Sequence, residues 1–321
     1  MSRSLLLLLL LILAPVSLGF GLMTGSVHVP AGEAIEAIFT GAPALAYDVV
    51  VQLRAPRVLA AFACGSLLAL SGALLQVLLR NPLADPYILG VSGGAAVGAL
   101  SAMLLGFAAG GQGIAALAGA LFAVGLVLAV GFRAGDWNLY RLLLTGVVLS
   151  AGFTAVIAFL LSVAAPAQTK GMLFWLMGDL AHAENWKAAW AVLLVAGGVS
   201  MLFANSLNAL SLGPLKAKAL GVAVGPLQLL TYFCASAGTV GAVALAGTIG
   251  FVGLMAPHAI RLLGVADYRW LLPLAVLLGG SFLTAADTLG RSVWAPQQLP
   301  VGVLTALLGV PSVLLLLSAR R

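Results

Sequence analysis

Residues 80–99 read RNPLADPYILGVSGGAAVGA. An Arg, an Asn, an Asp and two prolines crowd into the first seven positions, glycines follow, and apolar sequence flanks the stretch on both sides. Proline cannot donate a backbone hydrogen bond, whereas Asn and Asp side chains satisfy free backbone groups. Arg80, Asn81, Pro82, Asp85 and Pro86 therefore read as a capped turn that stops one helix and starts the next. What lies on either side decides whether that turn belongs to a wetted protein or to one held in lipid.

Of the 321 residues, 62% are hydrophobic and 7% are charged, against roughly 25% charged in a soluble domain. Such a chain cannot present an ordinary wetted surface, and it reads as an all-α polytopic membrane protein forming one domain over 1–321. Crossing the hydrocarbon as a helix takes about 20 apolar residues. Runs of that kind fall near 5–22, 56–79, 88–107, 113–132, 141–164, 186–204, 227–247, 248–264, 270–290 and 300–318, which predicts about ten spans. The start, MSRSLLLLLLLILAPVSLGFGL, has a basic then apolar order but no A-x-A cleavage site, and is long enough to be a retained first helix. The eighth run, GTIGFVGLMAPHAIRLLG, is short, glycine-rich and interrupted by Pro257, so it is expected to be partly irregular.

Charge sets the orientation. With ten spans and the N-terminus inside, Arg3, Arg80, Arg133, Arg141, Lys216, Lys218, Arg261, Arg269, Arg320 and Arg321 face the cytoplasm, and Arg54, Arg57, Lys170, Lys187 and Arg291 face outward. This asymmetry obeys the positive-inside tendency, and it vanishes if the eighth span is dropped. The net charge of +6 thus reports topology, and no basic, aromatic-interleaved patch points to nucleic acid.

The chain also resembles itself. PRVLAAFACGSLLALSGALLQ from Pro56 and PLQLLTYFCASAGTVGAVALA from Pro226 align Leu59 with Leu229, Cys64 with Cys234 and Ser66 with Ser236. The span count makes these helices opposite in direction. The pattern is that of an inverted repeat with halves near 56–164 and 226–318, an arrangement that places a pathway between two halves.

Chemistry has few places to sit. No lysine follows a glycine, so no phosphate-binding loop is present, and neither ATP nor Mg is expected in this chain. His28, His182 and His258 are scattered, and Cys64 and Cys234 lie alone in apolar runs, so no metal or nucleophile constellation emerges. Asp287 is the one acid near a span, with Arg291 a helical turn on. A proton-coupled carrier keeps ionisable groups at mid-depth, and their scarcity favours an external energy source over an ion-coupled secondary transporter.

Three further features suggest roles. Gly90, Gly94 and Gly98 recur every fourth residue, forming a stripe that suits close helix packing or a smooth pathway wall. The inside loop 205–222, NSLNALSLGPLKAKALGV, reads as two short amphipathic helices broken at Gly213 and Pro214, and its leucines call for a partner. Outside, Arg54, Arg57 and Arg291 read either as interfacial anchors or as a cationic rim for carboxylates of a soluble protein.

RNPLADPYILGVSGGA, LLLTGVVLSAGF, FWLMGDL, LNALSLGPLKAKALG, GFVGLMAPHAIRLLG and LPVGVLTALLGVP, in this order, resemble the FecCD-type permeases of ABC importers, which carry ferric siderophores, haem or vitamin B12. The resemblance runs from about residue 50 to the end. It implies a type II ABC importer permease fold, a homodimer or paralogous heterodimer, two ATP-binding subunits that hold ATP and Mg, a periplasmic or lipoprotein binding protein, and a place among the lipids of the cell inner membrane. By position, Leu207, Asn208, Leu210, Leu212, Gly213, Ala217, Leu220 and Gly221 correspond to ATPase-coupling helices. Arg54, Arg57 and Arg291 correspond to docking arginines, and Leu139, Tyr140 and Arg141 to a cytoplasmic gate. Thr145, Ser150 and Thr154, with Gly90, Gly94 and Gly98 nearby, correspond to the pathway. Two departures stand out: Gln298 replaces a usual Glu, and Pro214-Leu215-Lys216 replaces a usually acidic stretch.

Overall fold

The computed structural model describes residues 3–318 apart from 134, 135, 138, 182, 184, 294 and 296. His182, Arg320 and Arg321 lie outside the described residues. In chain order the helices are α1 (Arg3–Met23), α2 (Ala31–Thr40), α3 (Ala44–Tyr47), α4 (Ala55–Leu78), α5 (Val91–Leu104), α6 (Ala109–Gly131), α7 (Leu139–Val163), α8 (Pro166–Leu176), α9 (Trp186–Leu202), α10 (Ala204–Ser211), α11 (Pro214–Ala219), α12 (Val224–Ala246), α13 (Val252–Leu262), α14 (Tyr268–Ser292) and α15 (Val301–Ser318). A π-helical turn over Asp48–Arg54 joins α3 to α4 in one 35-residue rod, Ala44–Leu78. Two-residue strands pair Phe132 with Trp137 and Arg133 with Asp136.

Six of these helices are long and apolar enough to cross a membrane, and α9 with α10 makes a seventh candidate, bent by 65° at the break. The remaining predicted spans are shorter: α5 has 14 residues, α13 has 11 and α15 has 18. At 1.5 Å per residue α13 covers only about 16 Å, so the eighth predicted span is an irregular stretch, 247–251, followed by half a helix. Irregular backbone at such depth must find partners inside the protein. Here the Ile249 N–H donates to the Tyr87 hydroxyl at 3.0 Å, Thr248 Oγ1 donates to the Leu176 carbonyl, and the Asp179 N–H donates to the Ala246 carbonyl at 2.9 Å.

The opening stretch is the turn its residues predict. Arg80 adopts a left-handed φ of 49° and ends the α4 rod. Asn81 Oδ1 accepts from the Leu83 N–H at 3.0 Å, and Asp85 Oδ1 accepts from the Tyr87 N–H at 2.8 Å, capping a short 3-10 turn over Pro86–Leu89. Gly90, at φ 72°, reverses the chain into α5. Burial pushes the Asp85 carboxyl above its ordinary pKa, against the lowering effect of the Tyr87 hydrogen bond.

α4 is the central post, packed by α14, α12, α13 and α9. Small residues let those backbones approach. A methyl group added at Gly65 would overlap the Gly279 carbonyl of α14, and one at Gly72 would overlap the Gly253 carbonyl of α13. Without water to drive apolar association, such close backbone contact is what holds helices together in lipid. Cys64 Sγ lies 3.7 Å from the Ala242 carbonyl while Ser71 abuts Gly238, so α4 and α12 run antiparallel. Trp190 of α9 stacks on Phe62 at 5.8 Å between ring centroids and donates its indole N–H to the Leu59 carbonyl at 3.1 Å. α1 closes the far side of α14, burying Leu6 and Leu10.

Candidate transport and coupling sites

At the inner end, α9 breaks at Phe203 and the chain turns along the bundle as α10 and α11. α10 buries Ala204, Leu207 and Leu210, and α11 buries Ala217. Gly213, at φ 105°, and Gly221, at φ 82°, occupy left-handed turns that side chains resist. The opposite face is apolar and bare: Leu212 is 59%, Leu215 85% and Leu220 65% exposed. Of the predicted coupling residues, Leu207, Leu210 and Ala217 are therefore anchors, and Leu212 and Leu220 are free to meet a partner. Leu215 is the most exposed residue of the group, and the motif resemblance did not single it out, although it extends the same amphipathic pattern.

Asn208 points inward. Its Nδ2 donates to Asp267 Oδ1 at 2.7 Å and its Oδ1 accepts from the Tyr268 N–H at 2.8 Å. Asp267 caps α14, accepting the Arg269 N–H at 3.1 Å and the Arg269 guanidinium at 2.7 Å, with Arg3 at 3.9 Å. The Arg269 side chain, reinforced by Asn208 and the cap N–H, holds the Asp267 carboxyl well below the usual carboxylate range. A carboxyl with a depressed pKa contributes stability above its unfolded value, about 3.9, and loses it as pH falls through the folded value. This corner accordingly keeps its charge at every pH near neutrality.

At the outer end the three predicted docking arginines are all engaged within the chain, and this corrects the expectation of a free cationic rim. Arg54 is buried and donates to the carbonyls of Leu22 at 2.9 Å, Met23 at 3.1 Å and Val27. Arg291 is buried, donates to the Gly21 carbonyl and lies 3.5 Å from Asp287. The last carbonyls of a helix have no partner within it, and these two guanidiniums satisfy the end of α1. Arg57 forks onto Asp287, with its Nη2 at 2.8 Å from Oδ1, and donates from Nη1 to Gln298 Oε1 at 2.7 Å. Gln298 thus keeps a polar contact as a neutral acceptor. The predicted pairing of Asp287 with Arg291 is present, and the stronger partner, Arg57, lies 230 residues away in sequence.

Of the two readings of the glycine stripe, the structure shows the packing one at Gly94 and Gly98. Methyl groups at Gly94 and Gly98 would overlap the carbonyls of Gly119 and Ala115, so both glycines form the seam between α5 and α6. A shallow groove of about 420 Å³ borders that seam beside Phe122 and Phe153. Gly90 faces Gly146, Leu149 and Ser150 of α7. Gly94 and Gly98 are therefore spent on helix packing, while the outer half of α7 exposes Ala151, Gly152, Thr154, Ala155 and Ala158 along with Val156 and Phe159. Its hydroxyls donate to their own helix, Thr145 to the Arg141 carbonyl at 2.7 Å and Thr154 to the Ser150 carbonyl at 2.8 Å. At the gate position Tyr140 is exposed, while the Leu139 side chain lies outside the described residues. A cavity of about 660 Å³ opens at the outer end between α8 and α12, lined by Gln112, Lys170, Phe174, Trp175 and Asp179 among others.

This multi-pass helical bundle has the type II ABC-importer permease fold, as its likeness to solved and curated relatives shows. The comparisons carry this further: the chain belongs to the FecCD transport family, which matches residues 6–319. It is 43% identical over 285 residues to the cobalamin import system permease protein BtuC of Halobacterium salinarum, covering 88% of this chain and 76% of that one. It is 39% identical over 288 residues to the hemin transport system permease protein HmuU of Yersinia pestis, covering 86% and 84%. An inward-facing structure assigned to a metal-chelate type ABC transporter superposes over 100% of both chains with a TM-score of 0.85 at 31% identity.

Proposed function

We propose that this chain is the membrane-spanning subunit of an ATP-driven importer for a metal chelate: ferric siderophore, haem or cobalamin. In this reading two copies enclose the path in the cell inner membrane, and a periplasmic or lipoprotein binding protein delivers the chelate from above. Two ATP-binding subunits, which hold the ATP and Mg, seat beneath. The halves 56–164 and 226–318 act as inverted copies, a reading supported by the antiparallel contact of α4 with α12.

The observation that carries the proposal is the inner helix pair. Leu212, Leu215 and Leu220 project from helices that are otherwise anchored by buried leucine and alanine. An exposed apolar cluster on a fixed mount marks an interaction site. When the ATP-binding subunits close, they carry the mount with them and tilt the bundle, exchanging an outer opening for an inner one. The exposed small residues of α7, with hydroxyl donors already satisfied, support a wall that holds the cargo weakly, as passage requires.

Co-expression with the ATP-binding subunit tests this directly. The wild-type chain is expected to copurify with it, and Leu215→Asp to lose it while remaining monodisperse in detergent. Vesicles in which this chain alone, without any ATPase, accumulates cyanocobalamin or hemin would overturn the proposal.

A further inference from the structure

A continuous polar chain runs across the inner ends of four membrane elements, through residues that neither the transport path nor the exposed leucine face uses. It starts at Asn208 on α10, which grips the first turn of α14 from both ends of its amide: Nδ2 to Asp267 at 2.7 Å, Oδ1 from the Tyr268 N–H at 2.8 Å. The Tyr268 hydroxyl accepts from Arg261 Nη2 of α13 at 2.9 Å, and the same guanidinium lies over the Tyr268 ring, 5.8 Å from its centroid. Arg261 Nη1 donates to Gln76 Oε1 of α4. The Gln76 Nε2 lies 3.3 Å from the Leu254 carbonyl and 3.4 Å from the Ala84 carbonyl, reaching the turn that opens α5. Gln76 and Tyr268 are both buried, so these bonds are shielded from competing water.

The other inner helix has no such tie. Among the described residues, α11 is held by the buried Ala217 and by its packing on α10 and α12, with no side-chain hydrogen bond to the bundle. Both short helices present leucines below, but only α10 is bolted to the helices above.

We propose that Asn208 is a positioning residue that transmits movement of the inner helix pair to α14, and through Tyr268, Arg261 and Gln76 to α13 and α4. The proposal rests on the reading that an ATP-binding subunit seats on α10 and α11. A push on α10 reaches α14, α13 and α4 through directional hydrogen bonds. Apolar packing between Leu207, Leu210 and the bundle would allow α10 to slide. The role is one of coupling, and it predicts loss of transport per ATP consumed, which simple destabilisation would not produce.

The test uses the assembled transporter in vesicles, with cyanocobalamin, hemin and ferrichrome as probes and with uptake and ATP hydrolysis measured on the same preparation. In Asn208→Ala the ratio of probe moved to ATP hydrolysed is expected to fall at least about fivefold. The exchange Asn208→Asp with Asp267→Asn keeps the α10–α14 joint itself, since the new amide donates to the new carboxylate and that carboxylate accepts the Tyr268 N–H, while the ion pair of residue 267 with Arg269 is given up. This double variant is expected to restore the ratio to within about twofold of wild type. Uptake and hydrolysis falling in proportion in Asn208→Ala, or an exchange variant no better than the single one, would overturn the relay. Wild-type vesicles that move none of the three probes on ATP would overturn the importer reading, and the relay with it.

Discussion

Two spans of nearly equal hydropathy meet opposite fates. In Ala44–Leu78, 94% of the apolar window is buried inside the chain; in Tyr140–Val163, 11% is. Hydropathy therefore reports that a helix is solvated by lipid or by protein, and is silent on which. The distinction lies in where the small residues point. Those of α4 meet backbone: Gly65 against Gly279, Gly72 against Gly253, Ser66 Oγ donating to the Val276 carbonyl at 3.0 Å. On α7, Ala151, Gly152, Ala155 and Ala158 are exposed, together with the bulkier Val147, Val148, Val156 and Phe159, and a methyl group at Gly152 would meet nothing within 4 Å. α1 supplies the third case, exposing bulky Leu8, Leu11, Ile12 and Val16 as a lipid-facing helix does. α7 differs from α1 in setting small residues, Ala151, Gly152, Ala155 and Ala158, among its exposed bulky ones.

That contrast can be broken at its strong end. Gly72→Leu would force a side chain into the Gly253 carbonyl, and backbone cannot yield as a flexible side chain does. The expected loss is about 3 kcal/mol or more, enough to remove the monodisperse peak in detergent chromatography. A folded Gly72→Leu protein would show that α4 is not the post described above. Next in size is Asp287→Asn. Asp287 is 2% exposed and compensates Arg57 and Arg291, so removing its charge strands two cations at the α4–α14 contact. Breaking a buried ion pair on one side costs about 3 kcal/mol, and thermal unfolding in detergent should shift down accordingly, with the amide's retained hydrogen bonds softening the loss. At the weak end, Ala155→Trp on the exposed face of α7 should change stability by less than about 0.5 kcal/mol while uptake falls about tenfold, a barrier increase near 1.4 kcal/mol. Uptake unaffected by the indole would reassign that face to lipid.

Much of the fold was legible because it depends on neighbours in sequence. The turn at 80–90 is capped by Asn81 and Asp85 as their residue types suggest, and the glycine-rich, proline-interrupted eighth span is the irregular stretch and short helix found at 247–262. The site was less legible. Arg54, Arg57 and Arg291 look like free cations in sequence because their acceptors, the ends of α1 and the side chains of Asp287 and Gln298, are far away along the chain. Gly94 and Gly98 lie on one helix face either way, and only the presence of Gly119 and Ala115 opposite decides between seam and wall. Asn208 was grouped with its neighbours as a contact residue, whereas its amide turns inward to α14.

The amino-acid sequence by itself determined that this chain lives in a bilayer, roughly where it crosses and where the turns fall. Those properties follow from local rules: backbone polar groups in lipid must be satisfied within a helix, and caps act over a few residues. Only the tertiary structure decided which polar groups are spent and which are free. A guanidinium or a carboxamide takes whatever acceptor the packing brings within 3 Å, and that packing is set by glycine contacts between helices up to about two hundred residues apart in the chain.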